Sequence, residues 1–168
     1  PQVMETLARP IIHHRTPQFQ AILKEATENL KYVFQTNNDI FIFASSGTGA
    51  MEAAVCNFLS PADSAITVEG GKFGERWYEL CTAYGIETIA IDVEWGYAVT
   101  PERIKKALDD NLGVKAVFTT QSETSTGVLT DLKAIGEVMK NYDAALVTDA
   151  VSGLGVHELS PDEWGIDM

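Results

Sequence analysis

Short apolar segments alternate along the chain with segments of helical periodicity, and this alternation constrains the possible folds more than any other feature. The apolar segments predicted to be buried strands are residues 39–44, 65–69, 86–92, 114–120 and 144–148. The intervening segments repeat apolar residues at helical spacing, beginning at Thr16-Pro17. Strands that alternate with helices form βαβ units, so the chain is predicted to be an α/β domain. We expect a mostly parallel sheet with helices on both faces.

Composition and charge exclude several classes of function. The net charge of −12 is opposite to the basic surface expected of a nucleic-acid binder. No apolar run approaches the roughly 18 residues of a membrane span, and the first residues lack the apolar core of a secretory signal. Cys56 and Cys81 lie among apolar residues and are predicted to be core thiols rather than a disulfide or a metal pair. These features predict a cytoplasmic protein without a metal site.

Residues that follow the predicted strands are the candidates for function, because ligands bind at the carboxyl ends of strands in open parallel sheets. The segment 45–49 (SSGTG) is small and precedes a helix, so its free N–H groups and hydroxyls could bind a phosphate. An ordinary strand-to-helix turn would have the same pattern. Phe73 lies in a loop between glycines and could stack on a planar ligand or fold back on the domain. Thr124, Ser125 and Thr126 in the segment 121–127 (QSETSTG) could donate to a ligand or simply cap the loop.

Asp149 ends the apolar strand at 144–148 and has no lysine or arginine near it in the sequence. A turn or helix cap is the common role of such an aspartate. A partly buried carboxylate, however, needs a cationic or hydrogen-bonding partner, and a protonated ring nitrogen of a ligand would provide one. A phosphate site, a stacking ring, hydroxyls and a carboxylate together fit one phosphorylated aromatic heterocycle. Pyridoxal 5′-phosphate is the cofactor predicted from this combination.

Six stretches carry a resemblance to a known family, and they keep its order from end to end. They are RPIIHHRTPQF, SSGTGAMEAA, KFGERW, SETSTGVL, TDAVSGLG and DEWGID. The sequence resembles class V aminotransferases, in particular the alanine–glyoxylate and serine–pyruvate branch of the fold type I pyridoxal-phosphate enzymes. The resemblance implies a large α/β domain with a mostly parallel sheet, a smaller C-terminal domain and a homodimer with sites at the interface.

The resemblance also implies roles for individual residues around the cofactor. Ser46, Gly47 and Thr48 match the turn that binds the phosphate. Phe73 matches the aromatic residue that stacks on the pyridine ring, and Thr124 matches the hydroxyl near the phenolic oxygen of the ring.

Further roles concern the ring nitrogen and the substrate side. Asp149 matches the partner of the ring nitrogen, and Val151 matches the apolar contact on the other face of the ring. Gln121 is expected to face the substrate. The segment 13–15 resembles an entrance and dimer-contact segment, although packing alone would also explain its two histidines. The lysine that forms the Schiff base in the family would lie beyond Met168.

The expected domain organisation and activity follow from this comparison. Residues 1–168 would form part of the cofactor-binding large domain, with 1–16 as an N-terminal segment and without the small C-terminal domain. The intact parent would exchange an amino group between a small amino acid and a 2-oxo acid, whereas this chain alone would be inactive. A cysteine desulfurase or another lyase of the superfamily is one alternative. A non-catalytic module that binds a phosphate ligand or dimerises is the other.

Overall fold

The computed structural model describes residues 1–168 and contains a central sheet of four parallel strands. The strands of the chain are β1 (Ser64–Glu69), β2 (Glu87–Asp92), β3 (Ala116–Thr120), β4 (Ser122–Glu123), β5 (Val128–Leu129) and β6 (Ala145–Asp149). The order in the central sheet is β2-β1-β3-β6, while β4 and β5 form a separate antiparallel pair. The two inner strands, β1 and β3, are therefore hydrogen-bonded to a neighbouring strand on each side.

Seven helices connect or flank these strands. They are α1 (Gln2–Leu7), α2 (Pro17–Phe34), α3 (Gly47–Phe58), α4 (Lys72–Ala83), α5 (Pro101–Asp110), α6 (Leu132–Met139) and α7 (Pro161–Trp164). Helix α2 begins where Thr16 accepts a hydrogen bond from the N–H of Phe19 and Pro17 fixes the first turn. None of the helices is both long and apolar enough to cross a membrane.

Two apolar clusters lie on opposite faces of the central sheet. Ile66, Val117 and Leu146 belong to the cluster that also contains residues of α5 and α6. Phe118 and Val147 belong to the other cluster, with residues of α3 and α4. Alternate residues of each strand point to opposite faces, so a sheet covered on both sides needs strands that are apolar throughout. The prediction of an α/β fold with helices on both faces of a parallel sheet is confirmed.

The prediction of a buried strand at residues 39–44 is wrong. This segment belongs to no helix or strand, and its backbone makes no hydrogen bond. Phe41 is 77% exposed, and Ile42 and Phe43 are 53% and 54% exposed. A strand needs a neighbour for its backbone N–H and C=O groups, and no strand of the described residues pairs with this one. Apolar composition alone is therefore insufficient for strand formation.

The two cysteines differ in environment, which corrects half of the prediction that both are core thiols. Both are free, but Cys81 is buried while Cys56 is exposed on α3. Burial raises the pKa of the Cys81 thiol to about 12, because the thiolate would lose its hydration. Cys56 does not belong to the apolar cluster that contains Met51, Ala54 and Val55 of α3. Helical periodicity around this position was too weak to show which face it occupies.

Candidate functional site

A cavity of about 230 Å³ lies at the carboxyl ends of the parallel strands. Seven residues that the sequence predicted to bind one ligand line this cavity together: Ser46, Gly47, Thr48, Phe73, Thr124, Asp149 and Val151. Phe73 lies in the first turn of α4, just after β1, and not in the predicted loop. Thr124 follows the short strand β4, which comes after β3, and Asp149 ends β6. The strands β1, β3 and β6 are neighbours in the sheet. The parallel arrangement therefore brings together residues that are far apart in the sequence.

Helix α3 begins at the edge of the cavity with unpaired N–H groups. Its first residue is Gly47, and the preceding Ser46 is extended and makes no side-chain cap. The N–H groups of Gly47 and Thr48 have no acceptor in the structure. A side chain at position 47 would crowd Val151, because a Cβ there would lie 3.2 Å from Val151 Cγ2. The cavity therefore has a site for an anion beside an apolar contact.

Asp149 is a partly buried carboxylate without a cationic partner. Its Oδ1 atom accepts a hydrogen bond of 2.9 Å from the N–H of Val151, and the structure gives no partner for Oδ2. Burial raises the pKa of Asp149 above its ordinary value, the Val151 hydrogen bond opposes this, and the charge of Glu123 raises it further. No lysine or arginine is among the groups that set this pKa. A cationic ligand group would supply the missing partner.

Two hydroxyls and one aromatic ring complete the predicted set. Thr124 Oγ1 and Ser152 Oγ share a hydrogen bond at the cavity wall. Phe73 is half-buried, and its backbone N–H donates to the carboxylate of Glu123 at 3.2 Å. The backbone of Phe73 is thereby fixed while its ring borders the cavity.

Arg76 is a cavity residue that the sequence analysis missed. Its Nη1 donates a hydrogen bond of 2.8 Å to Thr48 Oγ1, and its guanidinium carbon lies 5.8 Å from the centroid of the Phe73 ring. It brings a positive charge to the wall where α3 begins. The signal was present in the sequence, because residues three apart on a helix share a face and Phe73 precedes Arg76 by three. Met51, Ser122 and Ser152 also line the cavity and were not predicted.

Other candidates from the sequence lie outside the cavity. Gln121 is 1% exposed, and its Nε2 donates to the backbone oxygen of Glu158 at 2.9 Å. The expected contact of Gln121 with substrate therefore has no geometric support. His13 and His14 stack on each other with ring centroids 4.4 Å apart, and with Arg15 they are exposed and away from the cavity. No cluster of three or more His, Cys, Asp or Glu side chains is placed to hold a metal ion.

Comparison with known proteins gives a consistent result along the whole chain. The profile of the family described as "Aminotransferase class-V" matches residues 4–168. The chain is 42% identical over 168 residues to an uncharacterized aminotransferase of Methanocaldococcus jannaschii, a match that covers 100% of this chain and 44% of that protein. It is also 44% identical over 169 residues to a protein of Synechococcus sp. named "Soluble hydrogenase, small subunit", covering 99% of this chain and 44% of that protein.

A solved structure gives the same result in three dimensions. The alanine–glyoxylate aminotransferase of Nostoc sp. superposes with a TM-score of 0.92 at 30% identity, over 99% of this chain and 44% of that one. The chain therefore spans less than half the length of the proteins that it matches.

Proposed function

Because the chain belongs to the class V aminotransferases, we propose that its cavity is the pyridoxal 5′-phosphate site of a transaminating enzyme. The observation that carries the proposal is that Asp149 and the 46–48 turn line one cavity. A carboxylate and an anion site on one cavity suit a ligand with a cationic group and a phosphate. The substrates would be a small amino acid and a 2-oxo acid, consistent with the Nostoc relative named for alanine and glyoxylate.

At one end of the proposed cofactor, Asp149 would hold a proton on the ring nitrogen. Burial destabilises the charged carboxylate in the absence of a cation, and this is why its pKa is raised. A pyridinium N–H would remove that penalty by donating to a carboxylate oxygen. Pyridoxal phosphate supplies an electron-withdrawing ring when bound, and a protonated ring nitrogen favours that withdrawal. The proposed role of Asp149 is therefore to maintain the charge state on which the chemistry depends.

At the other end, the first turn of α3 would bind the phosphate. The unpaired N–H groups of Gly47 and Thr48 are suitable donors, and the hydroxyl of Ser46 lines the same wall. Arg76 adds a positive charge that favours an anion, and its hydrogen bond fixes the hydroxyl of Thr48. A helix N-terminus and a guanidinium both stabilise negative charge, so this end should select a phosphorylated ligand.

Between the two ends, apolar and hydroxyl groups would hold the ring. Phe73 and Val151 both border the cavity and would contact the two faces of a flat heterocycle. The paired hydroxyls of Thr124 and Ser152 would hydrogen-bond a ring oxygen. These contacts orient a ring but carry no net charge, so they would act equally on phosphorylated and unphosphorylated forms.

The donor set also bears on the hydrogenase name of one relative. Hydroxyls, N–H groups, one carboxylate and one guanidinium line the cavity, and neither Cys56 nor Cys81 lies on it. Such donors suit an anion and a protonated nitrogen, whereas iron–sulfur clusters are held by thiolates. The chemistry of this cavity therefore favours a transferase.

The experiment that tests the proposal compares pyridoxal 5′-phosphate with pyridoxal. Binding is followed by ligand absorbance and by tryptophan fluorescence in wild type and in the variants Arg76→Gln and Arg103→Gln. Arg103 is the matched control, because its guanidinium donates to the backbone oxygen of Asp92, away from the cavity. We expect Arg76→Gln to weaken binding of the phosphorylated ligand by roughly tenfold or more, from the loss of a charged interaction. Binding of pyridoxal should change little.

Two results would contradict the proposal. Equal affinity of the wild type for both ligands would show that the cavity does not bind the phosphate. An equal effect of Arg76→Gln and Arg103→Gln would show that any binding takes place elsewhere.

A further inference from the structure

We propose that Glu123 and Ser125 are positioning residues, which cap helix α4 from a distant segment and thereby fix Phe73 and Thr124 on two walls of the cavity. The inference rests on the proposed cofactor site and deepens it. In the sequence analysis Glu123 had no role, and Ser125 was considered only as one of several hydroxyl donors. Glu123 lies at the end of β4, about fifty residues beyond the helix that it contacts.

Helix α4 begins without a cap of its own. Its N-cap residue is Gly71, which has no side chain to accept a hydrogen bond. The first N–H groups of a helix have no partner inside the helix, so they need an external acceptor. In this structure Lys72 N donates to Ser125 Oγ at 3.1 Å, and Gly74 N donates to Glu123 Oε2 at 3.2 Å. Phe73 N also donates to Oε2 at 3.2 Å.

The same carboxylate holds the segment that carries Thr124. Its second oxygen, Oε1, accepts from Ser125 N at 3.1 Å and from Ser125 Oγ at 2.7 Å. Oε2 therefore binds the start of α4, while Oε1 binds the turn after β4 and accepts only a longer hydrogen bond of 3.5 Å from Phe73 N. Glu123 is 5% exposed, so these hydrogen bonds have little competition from water. Ser125 Oγ accepts from α4 and donates to the carboxylate, which links the two segments further.

Gly71 gives independent support for a built contact. A Cβ at this position would overlap Cγ and Cδ of Glu123 as well as Oγ of Ser125. The sequence therefore has a residue without a side chain where the carboxylate approaches the backbone. Substitution of Gly71 would displace the carboxylate, although the N–H donors of α4 would be unchanged.

The consequence for the cavity follows from the order of the residues. Glu123 and Ser125 flank Thr124, and the N–H groups that they bind include that of Phe73. Phe73 and Thr124 both line the cavity. A change in the first turn of α4 would therefore move the proposed stacking ring relative to the hydroxyl opposite it. This role is orienting rather than catalytic, because the carboxylate of Glu123 is occupied by its own hydrogen bonds.

Glu123→Gln tests the inference with almost no change in volume. An amide has one accepting oxygen and one donating nitrogen, so it can serve either α4 or the Ser125 turn but not both. Glu75→Gln is the matched control: it removes a carboxylate from the first turn of α4 that pairs with exposed Lys72 and takes no part in the cap. Ser125→Ala is the second, milder variant, which removes the Oγ link and keeps the carboxylate.

Hydrogen exchange and ligand binding are the two readouts. Amides 72–74 should exchange roughly fivefold to tenfold faster in Glu123→Gln than in Glu75→Gln, as expected for the loss of a helix cap. In Ser125→Ala the faster exchange should be confined to the amide of Lys72, which donates to Ser125 Oγ. Affinity for pyridoxal phosphate and for pyridoxal should fall by a similar factor, because the ring contacts are affected and the phosphate contacts are not. Arg76→Gln, in contrast, should affect only the phosphorylated ligand.

The outcomes separate this inference from the proposed function. Unchanged exchange at 72–74 would overturn the cap, whether or not the protein binds the cofactor. Faster exchange with unchanged affinity for both ligands would overturn the positioning role. A wild-type protein that binds neither ligand would refute the proposed function, and the exchange measurement would still decide the cap.

Discussion

Substitution of Asp149 by Asn should have two opposite effects, one on stability and one on ligand binding. The new side chain retains the oxygen that accepts from the N–H of Val151 at 2.9 Å. It removes the charge, and the raised pKa shows that this charge is disfavoured by burial. The variant should therefore lose both the destabilisation caused by the buried charge and the proposed interaction of that charge with the ligand.

The sign of the stability effect follows from proton linkage. The pKa of Asp149 is higher in the folded protein than its ordinary value, so the folded state binds the proton more tightly than the unfolded state does. This contribution to stability is fully present below the unfolded pKa, and it is lost as the pH rises through the folded pKa. At neutral pH the ligand-free Asp149→Asn variant should be more stable than wild type. The difference should narrow as the pH falls toward about 4, near the ordinary pKa of aspartate.

The magnitude of the binding effect comes from the proposed hydrogen bond between a charged ring nitrogen and the carboxylate. Hydrogen bonds to charged groups contribute about 1.5–3 kcal/mol. This corresponds to a roughly 10- to 150-fold increase in the Kd for pyridoxal phosphate. Asp143→Asn is the matched control, because Asp143 is an exposed carboxylate that lies before β6 and outside the cavity.

The assay combines urea unfolding across pH, without ligand, with fluorescence titration of the ligand at neutral pH. Binding by the Asp149→Asn variant within about threefold of wild type would refute the proposed charge interaction, since the expected loss is several times larger. A ligand-free variant that is less stable than wild type at neutral pH would contradict the explanation of the raised pKa by burial.

Three further predictions concern the scaffold. Iodoacetamide should modify one thiol per native chain and two in urea, because Cys56 is exposed while burial raises the pKa of Cys81 to about 12. The Cys56→Ser variant should not react in its native state, and modification of both thiols in the native wild type would contradict the packing of α4. Gly74→Ala should lower the free energy of unfolding by about 1–3 kcal/mol despite the better helix propensity of Ala, because a Cβ would overlap the backbone oxygen of Val68. Urea unfolding that shows no loss of stability would mean that α4 can move away from β1. Asp162→Ala should lower the urea midpoint at neutral pH, because hydrogen bonds from Thr36 and from the N–H of Asn37 (2.9 Å) lower the pKa of Asp162. That stabilisation is present above the unfolded pKa and is lost as the pH falls through the folded pKa, so a difference that persists in acid would show another cause.

The sequence predicted correctly the strands whose apolar residues are buried in the core of the domain. The strands near 65–69, 86–92, 114–120 and 144–148 lie within two residues of their predicted bounds, because continuous apolar runs pack against helices on both faces. The segment 39–44 has the same composition but no partner strand. Strand formation requires a second segment to pair with, and the composition of one segment does not show whether such a partner is present.

The candidate site shows the same limit. Convergence of Asp149 with Phe73 was predictable, because strand ends in a parallel sheet meet at one edge. The 46–48 turn lines the same cavity although no strand precedes it, so a strand end is not the physical reason for its position. Glu123 was missed because the N–H groups that it binds lie about fifty residues away in the sequence. The burial of Gln121 was not predictable, because its side chain lies against a residue that is distant in sequence: a Cβ at Gly153 would overlap Oε1 and Cδ of Gln121.

The residues that line the cavity range from Ser46 to Ser152 in the sequence, so the cavity forms only when this whole part of the chain is folded. A small molecule in this cavity would therefore bind the native state and not the unfolded state. Its presence should raise the melting temperature in proportion to the logarithm of its concentration, once that concentration exceeds Kd. Occupancy would thus lower the population of unfolded chains that proteases can cleave.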